Sequence, residues 1–567
     1  MQGQTGAELL VRSLIHNGVR TLFGFPGDTG MALYSALRQQ SSELRHVLAR
    51  DERSAAIMAD VYARVSGDVG VVEASSGGGA TYLVGGLGES YAASVPVLVI
   101  TSDIPQKSHD TGAITEIDQV KLFSAVTKWQ AVVRNAGEIP ALVAEALSRA
   151  REGRPGPVSL VLSQDVLEVT VEIATEIPLA SPRQRSGVHP KLAQTAAQKI
   201  MEAKRPAIIA GSGVHWAGAW ESLKRLAEWA DAPTATTIHG KGAFPEDHAL
   251  ALGVSGGNGA RDYTNHYLEA ADVVLLVGTR ANATDTNGYT APSRTGCQVI
   301  HIDIDPHCAG RNFPDGLALV GDAETVLAQV ATYAEQDPPA HRAEVRSWLA
   351  HHRSIWLSRN QGTASAVATL EPARIITCIA AAVGPDAIVL GEPGTPTPYL
   401  AAYWESGPGR QVLIPRGHGI MGFALGGAVG AALARPDRRV VAITTDGSLG
   451  MAAGELETAR RLELPIIFIH LRNESLGWIK MLQHLYMDRH YFGVDFSPVD
   501  AVKVAIGFGV PARAVETLRS LESALGEALA NKGPFFVDVP VPEEKEVVPP
   551  VAPWLARLAG AEVRSSY

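Results

Sequence analysis

Short apolar runs of strand length alternate with stretches of helical periodicity along most of this chain. That is the pattern of parallel sheets whose strands are covered on both faces. Near the C-terminal end, Val440-Val441-Ala442-Ile443 reads as a buried strand ending at Asp446. Residues 450–462 read as a helix, and Ile466-Ile467-Phe468-Ile469 as the next strand, ending at Asn473. Asp446 and Asn473 lie 27 positions apart, about the length of one strand–helix–strand crossover. Such a crossover returns the chain parallel, so both side chains reach the carboxyl edge of adjacent strands, where open α/β sheets bind ligands. Earlier, a strand at 44–48 runs into Arg50-Asp51-Glu52 and a helical pattern at 54–65; the middle of the chain carries strands at 207–210, 273–277 and 299–303.

At 567 residues the chain exceeds one usual core, and three domains are expected. Proline-containing sequence at 165–190 and charged, His-rich sequence at 335–365 read as linkers. They divide the chain into 1–180, 190–335 and 366–545, followed by a Pro-rich tail at 546–567. The expected class is α/β, with three doubly wound parallel-sheet domains. No short-period repeat or low-complexity tract is visible. A formal net charge of −10, with no long Lys/Arg run, argues against nucleic-acid binding. Cys297, Cys308 and Cys378 are too scattered for a disulfide framework or a zinc site. Apolar runs such as Pro96–Ile100 are too short to span a membrane, and the N-terminus shows no secretory pattern, so a cytoplasmic enzyme acting on a small molecule is expected.

The chemistry begins at Asp446 and Asn473. A carboxylate, an amide oxygen and a nearby backbone carbonyl at Ser475 suit a hard divalent cation that completes its octahedron with phosphate oxygens and water. Gly447 and Ser448, at the mouth of the next helix, offer N–H groups to those phosphates. Thr445-Asp446-Gly447-Ser448 and Arg472-Asn473-Glu474-Ser475-Leu476-Gly477 together resemble the magnesium-diphosphate motif of thiamine diphosphate enzymes, GDG followed by NN. Thr445 replaces its first Gly and Arg472 its first Asn, while the ligand positions are kept.

The resemblance extends over almost the whole chain, at the level of acetolactate synthase-like members of the group that also holds pyruvate decarboxylase. Arg50-Asp51-Glu52-Arg53-Ser54-Ala55-Ala56 is similar to the RHEQxAA segment, which places the catalytic acid facing the cofactor's aminopyrimidine at Glu52. Phe23–Gly27 resembles FGxPG, Ser75–Thr81 TSGPGATN, and Thr115–Asp118 QEID. Gly417-His418-Gly419-Ile420-Met421-Gly422-Phe423 resembles GLGxMGF. It implies a Gly419 carbonyl that accepts from the cofactor amino group and a Met421 side chain that holds the cofactor bent. Gly394 and Thr395 fall where relatives contact the diphosphate, as do Leu476 and Gly477 within the second half of the metal motif. Gly417, Gly419 and Gly422 also satisfy G-x-G-x-x-G, but Asp437 falls before the next strand rather than after it, against a dinucleotide fingerprint.

Asp28, in Pro26-Gly27-Asp28, resembles the PGD turn of the pyruvate decarboxylase branch. His109 falls near the loop that carries that branch's histidines, so both are candidates for proton transfer, with a surface role as the alternative. The resemblance implies thiamine diphosphate and magnesium, a homodimer or homotetramer, and C–C cleavage or formation next to a carbonyl of a 2-oxo acid by decarboxylation or carboligation. A lyase opening a 2-hydroxy-ketone, diketone or acyl thioester is one alternative, and a non-catalytic cofactor-binding relative is another. FAD is left open, because relatives often carry it while Ser255–Gly259 and Arg280–Ala283 match the flavin-contacting stretches poorly. Thr284 stands where acetolactate synthases place an acceptor-binding arginine, Leu482 replaces an aromatic, and Thr115 replaces a glutamine. These changes imply an enzyme that is not an acetolactate synthase in the strict sense.

Overall fold

Three six-stranded parallel sheets, each flanked by helices, and one antiparallel pair of short strands, Gly3–Thr5 and Thr170–Glu172, make up the sheets of the computed structural model, which describes residues 3–172, 176–334, 343–360 and 370–563. This is the expected class. The first sheet runs Arg45–Leu48, Thr21–Phe25, Gly70–Ala74, Val97–Asp103, Val158–Ser163 and Trp129–Val133 from edge to edge. Numbered along the chain, that order is second, first, third, fourth, sixth, fifth. The C-terminal sheet repeats it: Val412–Leu413, Ile388–Gly391, Val440–Thr445, Ile466–Arg472, Phe535–Pro540 and Ala512–Ala514. Each therefore changes winding direction between its first and third strands, and such switch points open a crevice at the carboxyl edge.

The central sheet differs. Its order is Ala251–Val254, Thr234–Thr236, Pro206–Ala210, Val273–Val277, Gln298–Asp303 and Leu317–Val320, the arrangement of mononucleotide-binding pairs. At its switch point two loops touch backbone to backbone. The Gly213 N–H donates to the Gly278 carbonyl at 2.9 Å, and a Cβ on Gly213 would meet the Gly278 Cα at 2.6 Å.

The first and third domains join through helices Glu52–Ser66 and Phe423–Ala434. Small residues let their backbones approach: a Cβ on Gly430 would lie 2.2 Å from the Met58 carbonyl oxygen. Ala55, Ala56, Ala59, Ala424, Ala428 and Val429 complete this buried seam.

Three elements differ from the sequence reading. The helix expected over 450–462 is two helices, Asp446–Ala452 and Glu455–Arg461; they part at Gly454, where Arg50 of the first domain packs against the chain. Within the stretch read as a linker at 335–365, Ala343–Asn360 is a helix, while 335–342 and 361–365 lie outside the described residues. Its Trp348 packs on Tyr267 with ring centroids 5.2 Å apart, and its Trp356 stacks on Tyr403 at 5.1 Å. The charges between these rings hide the apolar stripe. The Pro-rich segment after 545 folds back: Val551 bridges Asn258, and helix Ala552–Leu558 buries Trp554 against Trp478. Among the described residues no helix is long and apolar enough to cross a membrane.

Candidate active site

Asp446 opens the short helix after strand Val440–Thr445, and Asn473 follows strand Ile466–Arg472, its register neighbour. One Asp446 carboxylate oxygen accepts the backbone N–H groups of Asn473 at 2.9 Å and Glu474 at 3.0 Å. Glu474 takes a left-handed φ of 57° to close that turn, a conformation that non-glycine residues hold mainly where surroundings enforce it. The other Asp446 oxygen lies 3.5 Å from Nε2 of the buried His470, whose Nδ1 is bonded to Asp538 at 2.8 Å. Asn473 Nδ2 donates to Glu544 at 3.4 Å, which orients the amide and leaves Oδ1 as an acceptor, here taking the Ser475 hydroxyl at 3.2 Å.

This donor set is all oxygen, the chemistry of a magnesium rather than a zinc site. Among the described residues no cluster of three or more His, Cys, Asp or Glu side chains is placed to hold a metal ion. A site here draws on one carboxylate, one amide and the backbone, and has to be completed by ligand oxygens. The residues present fit a diphosphate-bound cation.

A cavity of about 510 Å³ opens above this turn, a size typical of small-molecule sites. Asn473, Ser475, Leu476 and Gly477 line it, with Gly394 and Thr395 from the loop after strand Ile388–Gly391. Gly419, Met421 and Gly447 complete this wall. Ser448 is fully buried and does not face the cavity.

Buried carboxylates absent from the sequence reading fix these loops. Glu392 accepts N–H groups from Gly422, Phe423 and Ala424 at 2.8–3.2 Å, capping helix Phe423–Ala434. Burial pushes its pKa up to about 7. Glu89, on the first domain, accepts the N–H groups of Gly417, His418 and Gly419 at 3.0, 2.7 and 3.1 Å. Burial opposes its ionisation, but the His239 and Arg64 side chains and the backbone donors together hold its pKa well below the ordinary carboxylate range. The loop carrying Gly419 and Met421 is thus pinned from both sides. Glu544, 3 % exposed, accepts the hydroxyl of Thr395 and the amide of Asn473, tying the two halves of the cavity floor together. Glu89 lies 328 positions from Gly417 and Glu544 149 from Thr395, so no local spacing reveals either.

Glu52 is not among the residues lining this cavity. It begins helix Glu52–Ser66 behind the Asp51 cap, half-buried beside Gly79. Burial raises its pKa, helped by the charges of Asp51 and Glu73 and opposed by its own backbone N–H. Asp28 and Thr29 follow the adjacent strand at the first domain's switch point. Thr29 bonds to Ser102 at 2.8 Å and Ser76 at 3.3 Å, and Ser76 to Thr115 at 2.8 Å, while Asp28 is exposed. His109 is exposed on the following loop, its Nε2 3.6 Å from Asp103.

The central domain supplies the cavity's outer wall with Arg280, Asn282 and Thr284. Arg280 is largely buried, which lowers its pKa against the pull of Asp285. Asp285 is raised to about 6 by burial, with Arg280 and Arg416 opposing.

Three family models cover the chain in order: the thiamine pyrophosphate enzyme N-terminal TPP-binding domain over residues 4–122, the central domain over 193–330, and the C-terminal TPP-binding domain over 392–539. The chain belongs to the thiamine diphosphate (thiamine pyrophosphate) enzyme family. Within it the chain is acetolactate synthase-like. It is 33% identical over 571 residues to a probable acetolactate synthase large subunit of Methanocaldococcus jannaschii, covering 97% of this chain and 93% of that protein. It is 32% identical over 566 residues to the probable large subunit of Methanococcus aeolicus (96% and 94%), and 32% over 553 to the isozyme 1 large subunit of Escherichia coli (97% and 96%).

Proposed function

We propose that this enzyme uses thiamine diphosphate and magnesium to cleave or form a C–C bond next to the carbonyl of a 2-oxo acid, with an acceptor other than a second pyruvate. The observation that carries this reading is the convergence, on one cavity, of Asn473 and Ser475 from the turn that Asp446 closes behind them, the loop pinned by Glu89 and Glu392, and Arg280 with Thr284. When bound, the cofactor supplies a nucleophilic carbon and the electron sink for the bond that breaks. Asp446, the Asn473 Oδ1 and the Ser475 carbonyl hold the cation that neutralises the diphosphate. Gly394, Thr395 and Gly447 line the phosphate end. Gly419 presents its carbonyl to the aminopyrimidine and Met421 sets the angle between the rings. Glu52, whose pKa burial raises, holds the proton exchanged with the aminopyrimidine nitrogen.

Because Glu52 does not line its own chain's cavity, we assign the acid to the cavity of a second copy, in a homodimer or homotetramer. Large apolar side chains stand exposed on both domains that would meet the second copy, Met31 (61%) and Tyr82 (62%) on the first and Phe492 (89%) on the third. Decarboxylation and carboligation exchange no electrons with an external acceptor, so this reading needs no FAD. A yellow purified protein would place one in the central domain.

Thr284 lines the outer wall where the acetolactate synthase pattern has a guanidinium, which pairs bidentately with a carboxylate. Incubation with pyruvate alone tests the acceptor. We expect little acetolactate, and formation at ordinary enzyme turnover would overturn this part of the reading. Asp446→Ala tests the cofactor site, with an expected loss of cofactor affinity of about 100-fold by calorimetry; undiminished affinity would overturn the metal assignment.

A further inference from the structure

A second cavity of about 450 Å³ adjoins the first. The two share Thr284, Arg416 and Trp478 as common wall, so the short Thr284 side chain stands at the junction. The far cavity lies between the central domain and the folded-back C-terminal helix. On one side Asn287, Thr290 and Glu269 form a hydrogen-bonded row. Asn287 donates to the Thr290 hydroxyl at 3.2 Å, and that hydroxyl lies 3.1 Å from Glu269. On the other side stand the indole of Trp478 and the apolar Pro553 and Ala556. Trp478 is held by its contact with the buried Trp554, ring centroids 4.3 Å apart.

The chemistry of these walls selects among occupants. An alkyl chain would displace the water that serves the remaining donor and acceptor positions of Asn287 and of the exposed Thr290 and Glu269, and would offer no hydrogen bond in its place. An anionic group is drawn to Arg416 on the shared wall and repelled by the Glu269 carboxylate within the second cavity. A neutral chain of hydroxyl groups answers both demands. Each hydroxyl donates to a carboxylate and accepts from an amide or hydroxyl, while the C–H face of the same chain lies on the indole. The charged end of such a molecule belongs in the first cavity, where Arg280 and Arg416 line the wall.

We propose that the second cavity binds the hydroxylated end of the substrate, which is then an extended 2-oxo acid or hydroxy-ketone bearing a polyol chain. The inference rests on the reading of the first cavity as the place of reaction. Its test measures binding rather than turnover, so the two fail separately. The probes are gluconate, a six-carbon carboxylate carrying a hydroxyl on each remaining carbon, and hexanoate, of the same length without hydroxyls. Both are titrated by calorimetry into the cofactor- and magnesium-loaded enzyme. We expect gluconate to bind about tenfold or more tightly than hexanoate, and Thr290→Val or Glu269→Leu to cut that preference about tenfold. Equal affinities, a preference for hexanoate, or a gluconate preference that survives both substitutions would overturn the proposal. Absence of turnover with every 2-oxo acid, alongside an intact and mutation-sensitive gluconate preference, would count against the proposed reaction and leave the polyol site standing.

Discussion

The first and third domains share one strand order and one winding reversal, yet their switch-point loops hold opposite chemistry. In the third, the loops after Ile388–Gly391 and Val440–Thr445, joined by the loop after the neighbouring Ile466–Arg472, bring glycines, a threonine and an all-oxygen turn to a cavity. In the first, the corresponding loops after Thr21–Phe25 and Gly70–Ala74 bring Asp28, a chain of hydroxyls from Thr29 and Ser76, and Gly79 beside Glu52. The fold fixes where a ligand is met, and the loop residues decide which end of it. On this account the third domain holds the charged end of the cofactor, and the first supplies the acid that activates the other.

Separating those two roles gives the largest expected effect. Glu52→Gln keeps the size and helix position of the side chain but cannot exchange the proton, so turnover should fall about 1,000-fold. Cofactor affinity should stay within about threefold of wild type, the reverse of the Asp446→Ala pattern. Hydrogen–deuterium exchange at the thiazolium carbon reads this step directly, and wild-type exchange in the variant would erase the distinction between the domains.

Glu89 sharpens the comparison, because it reaches from the first domain to fix a loop of the third. Glu89→Ala removes the acceptor of three part-buried N–H groups and one partner of the buried Arg64, an expected cost of about 2–4 kcal/mol in urea unfolding. Glu89→Gln keeps an acceptor and should lose less. Equal, small losses in both variants would mean the loop is held by something else.

Glu455, buried in the third domain against the Arg50 N–H of the first, gives the smallest effect and one that pH controls. Burial raises its pKa from 4.5 to about 7. A folded-state pKa above the unfolded one favours the protonated form, so its stabilising contribution is complete below pH 4.5 and is lost as pH rises through about 7. At about 1.4 kcal/mol per pKa unit, this amounts to roughly 3 kcal/mol across the window. Glu455→Gln should flatten the fall of Tm between those pH values, and an unchanged slope would contradict the assignment.

Strands 440–445 and 466–472 were legible because central parallel strands are continuous apolar runs. The Asp446 and Asn473 pair was legible because a crossover has a narrow range of lengths. The shared strand order of the two outer domains left no repeat in the sequence, since buried strands demand only apolar character. Glu89, Glu392 and Glu544 were missed for a different reason. Each serves backbone or hydroxyl groups brought near only by tertiary packing, and a lone Glu in a helix or loop carries no sign of such a partner. Helix Ala343–Asn360 was read as linker because its aromatic stripe, Trp348, His352 and Trp356, is interleaved with charge.

The central claim is that one cofactor site is built from Glu52 of one chain and Asp446 of another. Mixing the Glu52→Gln and Asp446→Ala proteins, after subunit exchange, tests it directly, because each is inactive alone. Sites shared between chains give mixed dimers one intact site of two, so thiazolium hydrogen–deuterium exchange should recover to about a quarter of wild type. Sites contained within a single chain would leave the mixture as inactive as its parts, and that result would contradict the account.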